Sequence, residues 1–469
     1  MVQENPQTLL LGMPPLAVAI GVFTLTYATI ITERLNRAVV ALLGAALLIG
    51  LGVLTQEQAI EAIDFNTIGL LTGMMVLVGI TKESGIFQFL AIKAAKLARG
   101  SPWGILVMLS IVTAMLSALL DNVTTVLLVA PVTLFIAEEL RINPYPLLFA
   151  EINAANTGGT ATLIGDPPNI MIGSATGLTF NEFLLHLAPL AALAFAFTFI
   201  PLWFIYGRHL SATPEARARL LEFDEYQAIK DARLLKQSLA VFTLVILGFV
   251  AAHPLGLKPA TIAMAGAALL LLLVTLKHRQ EEASHKVHES FTQVEWVTLF
   301  FFVGLFIIVA GIEHTGLLKL LAEWTLELTA GDFAVTTQAV LWMAALLSAV
   351  VDNIPFVATM IPLIEDMLPA FESTGIPVES RTALWWALAA GACLGGNGTL
   401  SERLPISSWP ASPSATGCPS GFFPFSRWHS PSCSCKWRSL LPMYGGGTYE
   451  SPRHHDHTRA DACTGFPDK

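Results

Sequence analysis

The chain has 469 residues, 54% of them hydrophobic and 13% charged, with a formal net charge of −9. Soluble domains carry about 25% charged residues, so this balance excludes an ordinary soluble globular domain, and in such a chain the net charge says little about partners. The apolar residues also fall into separate runs of helix-spanning length, which a large soluble core would not produce.

In chain order the apolar runs cover 15–32, 38–54, 66–81, 186–206, 238–252, 259–276 and 296–312. Each is long enough, or nearly so, for a tilted membrane helix. They predict an all-α polytopic membrane protein. The opening MVQENPQTLL has no basic stretch of the kind that precedes a cleaved signal, so the first run is expected to stay as an anchor. Nineteen Lys and Arg precede residue 400, and sixteen of them fall at Arg34 and Arg37, Lys82 to Arg99, Arg141, Arg208 to Lys236, and Lys277 to Lys286. With the amino terminus outside, threading the helices puts all of these on one side, which the positive-inside rule makes cytoplasmic. The opposite loops hold Lys258, Lys319 and Arg381. The polar, helix-prone stretch 207–236 reads as a cytoplasmic linker between two halves.

The halves repeat. FNTIGLLTGMMVLVGITKESGIF (65–87) pairs with WVTLFFFVGLFIIVAGIEHTGLL (296–318) at an offset of 231, and SALLDN (117–122) pairs with SAVVDN (348–353) at the same offset. NTGGTATL (156–163) pairs with CLGGNGTL (393–400) at an offset of 237. The threading starts the first repeat outside and the second inside, so two inverted repeats are expected, the architecture of many secondary transporters with a site near the midplane.

Each repeat is interrupted twice. Asp121-Asn122 and Asp352-Asn353 sit between apolar half-segments and read as the buried tips of re-entrant hairpins. Irregular backbone at that depth survives where it lines a cavity, and a carboxylate there marks a site; the plain alternative is that each Asp caps a half-helix. In NTGGTATLIGDPPNIMIG (156–173), Gly158, Gly159 and Gly165 permit unwound backbone, and Pro167 and Pro168 stop one half-helix and open the next. Thr160, Thr162 and Asn169 supply uncharged oxygens suited to Na⁺, while half-helix N-termini suit an anion. Glu151, one turn earlier, is a candidate proton site or a residue at the cavity rim.

At DNVTTVLLVAPVTLFIA, AEINAANTGGTATLIGDPPNIMIG and SAVVDNIPFVATMIPLI the sequence resembles the ion transporter superfamily, in the branch of the arsenite-pump membrane subunit, Na⁺/H⁺ antiporters and the melanosomal P protein, with a citrate-transporter-like domain. The likeness covers roughly 60–400. It implies a scaffold plus a transport domain that moves like an elevator, often in a homodimer. It carries binding roles over to Asp121, Asn122 and Thr124; to Gly158, Gly159 and Thr160; to Asp166, Pro167 and Asn169; to Asp352 and Asn353; and to Gly395, Gly396, Asn397 and Thr399. The implied organisation is scaffold helices in 1–60, a transport repeat in 61–206, the linker in 207–236, scaffold helices in 237–293, a truncated second transport repeat in 294–400 and an aberrant tail in 401–469.

That tail departs from the family, whose members continue after GGNGTL with an IGASAN-like stretch and a final helix. Four of the five cysteines (Cys418, Cys433, Cys435 and Cys463) lie there, with only Cys393 before it. Shifting the reading frame by one base lets the DNA for SERLPISSWPASPS (401–414) encode IGASANIVVAGIAE. The tail is therefore expected to be out of frame and disordered, and the chain to transport poorly. A genuine Ser/Pro-rich cytoplasmic tail is the competing reading. The functional expectation is a secondary active transporter of arsenite, of Na⁺ in exchange for H⁺, or of a carboxylate, across the inner (plasma) membrane. Na⁺ or H⁺ would be the coupling ion, the lipid bilayer the partner, and there would be no other cofactor, no resident metal, no nucleic acid and no enzymatic step. A membrane-embedded hydrolase and a non-transporting scaffold are the alternatives; the histidines fall in loops or at helix ends, which disfavours the first.

Overall fold

The computed structural model describes residues 14–32, 34–208, 210–276, 279–350 and 352–399, and the aberrant tail lies outside them. Among the described residues the fold is helical, with no strand. The first half builds α1 (Pro15–Ile31), α2 (Arg37–Gly50), α3 (Gln56–Glu61), α4 (Phe65–Lys82), α5 (Ile86–Leu97), α6 (Pro102–Ser117), α7 (Asn122–Leu140), α8 (Tyr145–Thr160), α9 (Pro167–Thr176) and α10 (Phe180–Leu202). After α11 (Pro214–Glu222) in the linker come α12 (Ala232–Val250), α13 (Ala252–Leu255), α14 (Pro259–Thr275), α15 (Gln280–Thr292), α16 (Trp296–His314), α17 (Leu317–Leu328), α18 (Phe333–Ser348), α19 (Asn353–Ser373), α20 (Val378–Arg381) and α21 (Ala383–Gly395).

Each of the seven apolar runs forms a helix, and six helices (α4, α7, α10 with its continuation to Gly207, α12, α16 and α19) are long and apolar enough to cross a bilayer. α17 and α18 form a broken pair bent by 119°. The protein is a multi-pass membrane protein. In hydrocarbon every helix end must find its own hydrogen-bond partners, and the sequence supplies them. Asn36 accepts from the Ala38 and Val39 amides, and Asp64 accepts from Asn66. Thr179 and Glu182 form a capping box. Prolines open α6, α8, α9 and α14, where no donor is lost.

The repeat survives folding: α4 to α7 recur as α16 to α19. Gly85 and Gly316, at φ 85° and 77°, start α5 and α17. Arg99 and Ala330, at φ 52° and 51°, end α5 and α17 in the left-handed region that side chains seldom adopt. The halves also exchange like contacts. A Cβ on Gly73 of α4 would stand 2.7 Å from the Ala263 carbonyl carbon of α14, and one on Gly304 of α16 would stand 2.6 Å from that of Ala41 in α2. Such close backbone approach is how small residues weld membrane helices.

The helix α12 begins inside the polar stretch 207–236. Asp231 accepts from the Arg233 and Leu234 amides and starts α12 at Ala232, so Arg233 and Lys236 are helical. Ahead of it the linker is pinned to α5, where Lys96 Nζ lies 2.5 Å from Glu225 Oε2 and donates to the Phe223 carbonyl at 2.9 Å.

Candidate functional site

α6 and α7 pack on one another across the break at 118–121, and both pack on α8. The tip of this hairpin is organised by its own acid: Asp121 accepts from the Thr124 amide at 2.7 Å and caps α7. Asp352 does the same for α19 through the Ile354 amide at 3.5 Å, and its other oxygen lies 2.9 Å from Arg37 Nη1 of α2. Arg37 is held further by Thr298 Oγ1 at 3.4 Å and by the Phe301 ring, 5.0 Å from its guanidinium carbon. The two tips are thus alike in capping and unlike in charge.

Each tip docks on the helix that ends in the glycine motif. Ser117 Oγ donates to the Ala155 carbonyl at 2.6 Å, and Ser348 Oγ donates to the Ala392 carbonyl at 2.6 Å. Gly158 lies against the Ala114 backbone, and a Cβ on Gly395 would stand 2.5 Å from the Ala345 carbonyl oxygen. The loop 161–166 follows. Asn169, fully buried, reaches back from α9 and donates to the carbonyls of Thr162 at 2.9 Å, Thr160 at 3.1 Å and Gly159 at 3.5 Å. Thr162 Oγ1 donates to the Ala118 carbonyl at 2.6 Å and accepts from the Gly165 amide at 3.1 Å.

The two repeats meet through amides. Asn122 Nδ2 donates to Asn156 Oδ1 at 3.2 Å and to Asp166 Oδ1 at 3.4 Å, and Asn156 Nδ2 donates to Asn397 Oδ1 at 3.1 Å. A Cβ on Gly396 would lie 3.7 Å from Asn353 Nδ2 and 3.9 Å from Asn156 Nδ2, so the second tip joins the same place. Among the described residues, Asn122 Oδ1 and Asp166 Oδ2 are buried there without a hydrogen-bond partner. Cys393 Sγ closes the floor on Asn169 Oδ1 at 3.4 Å. Unpartnered carbonyl and carboxyl oxygens at the ends of broken helices are acceptors for a cation or a hydroxylated solute.

The sequence profile of the citrate transporter family matches residues 27–391. The chain belongs to the citrate transporter (CitMHS) family. Within it, an uncharacterized transporter of Mycobacterium tuberculosis is 43% identical over 386 residues, covering 81% of this chain and 86% of its own. A 46 kDa membrane protein of Mycobacterium leprae is 40% identical over 385 residues, with the same coverages. The human P protein is 34% identical over 464 residues, and the match spans 82% of this chain and 54% of that longer protein.

On this CitMHS chain most of the expected site residues converge, with changed roles. Gly158, Gly159 and Thr160 are helical, since α8 runs to Thr160. Unwound backbone is expected at Gly158, Gly159 and Gly165; Gly158 and Gly159 instead pack closely on backbone within the helix, and the irregular stretch, which holds Gly165, is 161–166. The Thr160 hydroxyl donates to its own helix, to the Asn156 carbonyl at 2.8 Å. Thr160, Thr162 and Asn169 thus donate their side-chain protons to backbone carbonyls of this region. Thr124 contributes its amide to the cap, and Pro167 and Pro168 open α9 as expected. Gly395 ends α21, and Gly396 and Asn397 lie in the following 3₁₀ turn. The Thr399 side chain lies outside the described residues.

Asn156, Arg37 and Cys393 join the site without a signal of their own in the sequence. Asn156 stands at the head of the repeated motif, where the second copy has Cys393, so the register disguised it. Arg37 was counted only for topology. A lone guanidinium at the first turn of an apolar helix needs an acid partner, and the repeat already offered two.

Proposed function

We propose that this protein is a secondary active transporter whose site lies between the hairpin tips of two inverted repeats, in the plasma membrane with the amino terminus outside. The chain of amides from Asn122 through Asn156 to Asn397 carries this reading. It ties both repeats together at the ends of interrupted helices, beside two unpartnered acceptor oxygens. A rigid scaffold would have no use for such atoms at that depth. The site holds the carboxyls of Asp121, Asp166 and Asp352, and the guanidinium of Arg37 is paired with Asp352. Among the described residues the site has no surplus positive charge to neutralise a free polycarboxylate. A cation exchanged for H⁺, or an uncharged hydroxylated solute such as arsenite at neutral pH, fits it better. The bilayer is its partner, a homodimer its expected assembly, and Na⁺ or H⁺ its coupling ion.

The test is flux into proteoliposomes under an imposed pH difference, with ²²Na⁺, arsenite and citrate compared side by side. Asn156→Ala removes one donor and one acceptor and is expected to cut flux of the transported species by about tenfold, the equivalent of roughly 1.4 kcal/mol. The reading fails if none of the three moves, or if all move equally well through Asn156→Ala.

A further inference from the structure

Away from the hairpin tips, the interior of α6, α7 and α8 holds a second polar place. Glu151 sits on α8 at 1% exposure, one turn before Ala155, whose carbonyl takes the Ser117 hydroxyl. The Thr133 hydroxyl of α7, itself buried, donates to Glu151 Oε1, and among the described residues Glu151 Oε2 has no partner. Three more buried hydroxyls on the same bundle, Ser110 and Thr113 of α6 and Thr125 of α7, are also without one. Helical spacing aligns them: Ser110 and Thr113 share the stripe of α6 that ends at Ser117, and Glu151 shares the stripe of α8 that ends at Ala155 and Gly158. Thr125 stands one turn inside the tip that begins at Asp121. The polar atoms therefore form a seam leading from the tip to Glu151.

Among the described residues no counter-charge reaches this carboxyl. α6 carries no ionisable group; α10 and α21 carry no Lys or Arg, nor does α8. On α7, Asp121 caps its own helix, Glu138 and the end-cap Arg141 are exposed, and Glu139 is half-buried at the far end. On α10, Glu182 closes its own capping box and His186 is exposed. On α21, Cys393 sits on Asn169, and Asp166 in the adjoining loop is held by Asn122. Tyr145 lies at the opposite end of α8. An ionised carboxylate alone in an apolar interior is strongly disfavoured. It either binds a proton or acquires a metal cation, and the cation would need several oxygens closing on it, whereas Thr133 is the one hydroxyl hydrogen-bonded to Glu151.

We propose that Glu151 is a proton-binding site of the transport cycle, with Thr133 fixing one carboxyl oxygen and the hydroxyl seam of α6 and α7 as its route to the hairpin tip. It rests on the transporter reading only for what the proton is coupled to. The step is a simple dissociation. When the seam is wetted, the O–H bond on Oε2 breaks, the proton passes to water, and the carboxylate is left until it is reprotonated from the other side.

Infrared difference spectroscopy of the full chain in lipid tests the proton directly, without knowledge of the solute. The wild-type spectrum is expected to hold a protonated-carboxyl C=O band at neutral pH that Glu151→Gln removes. Thr133→Val should keep the band and shift its titration midpoint, which a merely structural threonine would not do. Glu151→Asp serves as the folding control, since it retains an acid. Absence of a difference band at neutral pH, or a band that appears only when Na⁺ is withdrawn, overturns the proposal. In the flux assay, Glu151→Gln is expected to flatten the pH profile of whichever solute moves, and an unchanged profile overturns the coupling. If no solute moves in the wild type the transporter reading falls, while the band still decides whether Glu151 holds the proton.

Discussion

Gly158 and Gly395 stand at equivalent places in the two repeats, and their surroundings decide what each tolerates. A methyl group on either would meet backbone, that of Ala114 or of Ala345, and backbone cannot swing aside as a side chain can. Gly158→Ala and Gly395→Ala are each expected to destabilise the fold by about 1–3 kcal/mol, the range for forced overpacking. Gly21 is the contrast, since it lies within α1 with nothing within 4 Å of an added Cβ. There alanine is expected to be neutral or to stabilise by roughly 0.5–1 kcal/mol, because glycine loses more freedom on folding. Thermal unfolding of the three variants in lipid nanodiscs checks the ordering, and equal shifts for all three would remove the packing argument. The same pair shows where residue-level reading stops. Two adjacent glycines signal either unwound backbone or close helix contact, and composition cannot choose. The partner surface chooses, and it is contributed by α6 for Gly158 and by α18 for Gly395, some 40 to 50 residues away.

At the scale of elements, the most informative contact is the one that breaks the repeat's symmetry. Arg37 of α2 pairs with Asp352 at the head of α19, and Tyr27 of α1 donates to the Pro355 carbonyl at 2.9 Å in the first turn of that helix. Matching Ala41 with Ala263 by their shared contact puts Pro259 where the other half has Arg37, so Asp121 receives no such partner. The Arg37 side chain is 36% exposed and Asp352 17%, so solvent screens the pair and its coupling is expected at about 1 kcal/mol. Arg37→Asp and Asp352→Arg alone should each lower the unfolding temperature, and the double exchange should recover more than half of the loss. Strictly additive losses would mean that the two residues act separately. The elements themselves were legible because each apolar run, cap and proline acts locally. The pairing of α2 with α19 was not, since it depends on a contact between residues 315 apart in sequence.

At the scale of the whole molecule, the second repeat stops matching the first at a definite point. The register holds to Leu400, with Gly395, Gly396 and Thr399 in step with Gly158, Gly159 and Thr162. In the first repeat Asn169 then closes the loop by binding three carbonyls. Continuing at the same offset of 237, position 406 should hold its counterpart, and this chain has Ile406 there. The shifted frame can read IGASAN over 401–406, since the Ile406 codon shifted by one base allows an asparagine at that position. We therefore expect that shifting the coding sequence by one base after codon 400 yields a chain with higher flux and a higher unfolding temperature than this one. Within the restored chain, replacing that asparagine with alanine should reverse much of the gain, as Asn169→Ala should impair the first repeat. Proteoliposome flux and thermal unfolding of the two reading frames, measured side by side, decide the matter, and equal values for both frames would make the tail a genuine part of the transporter.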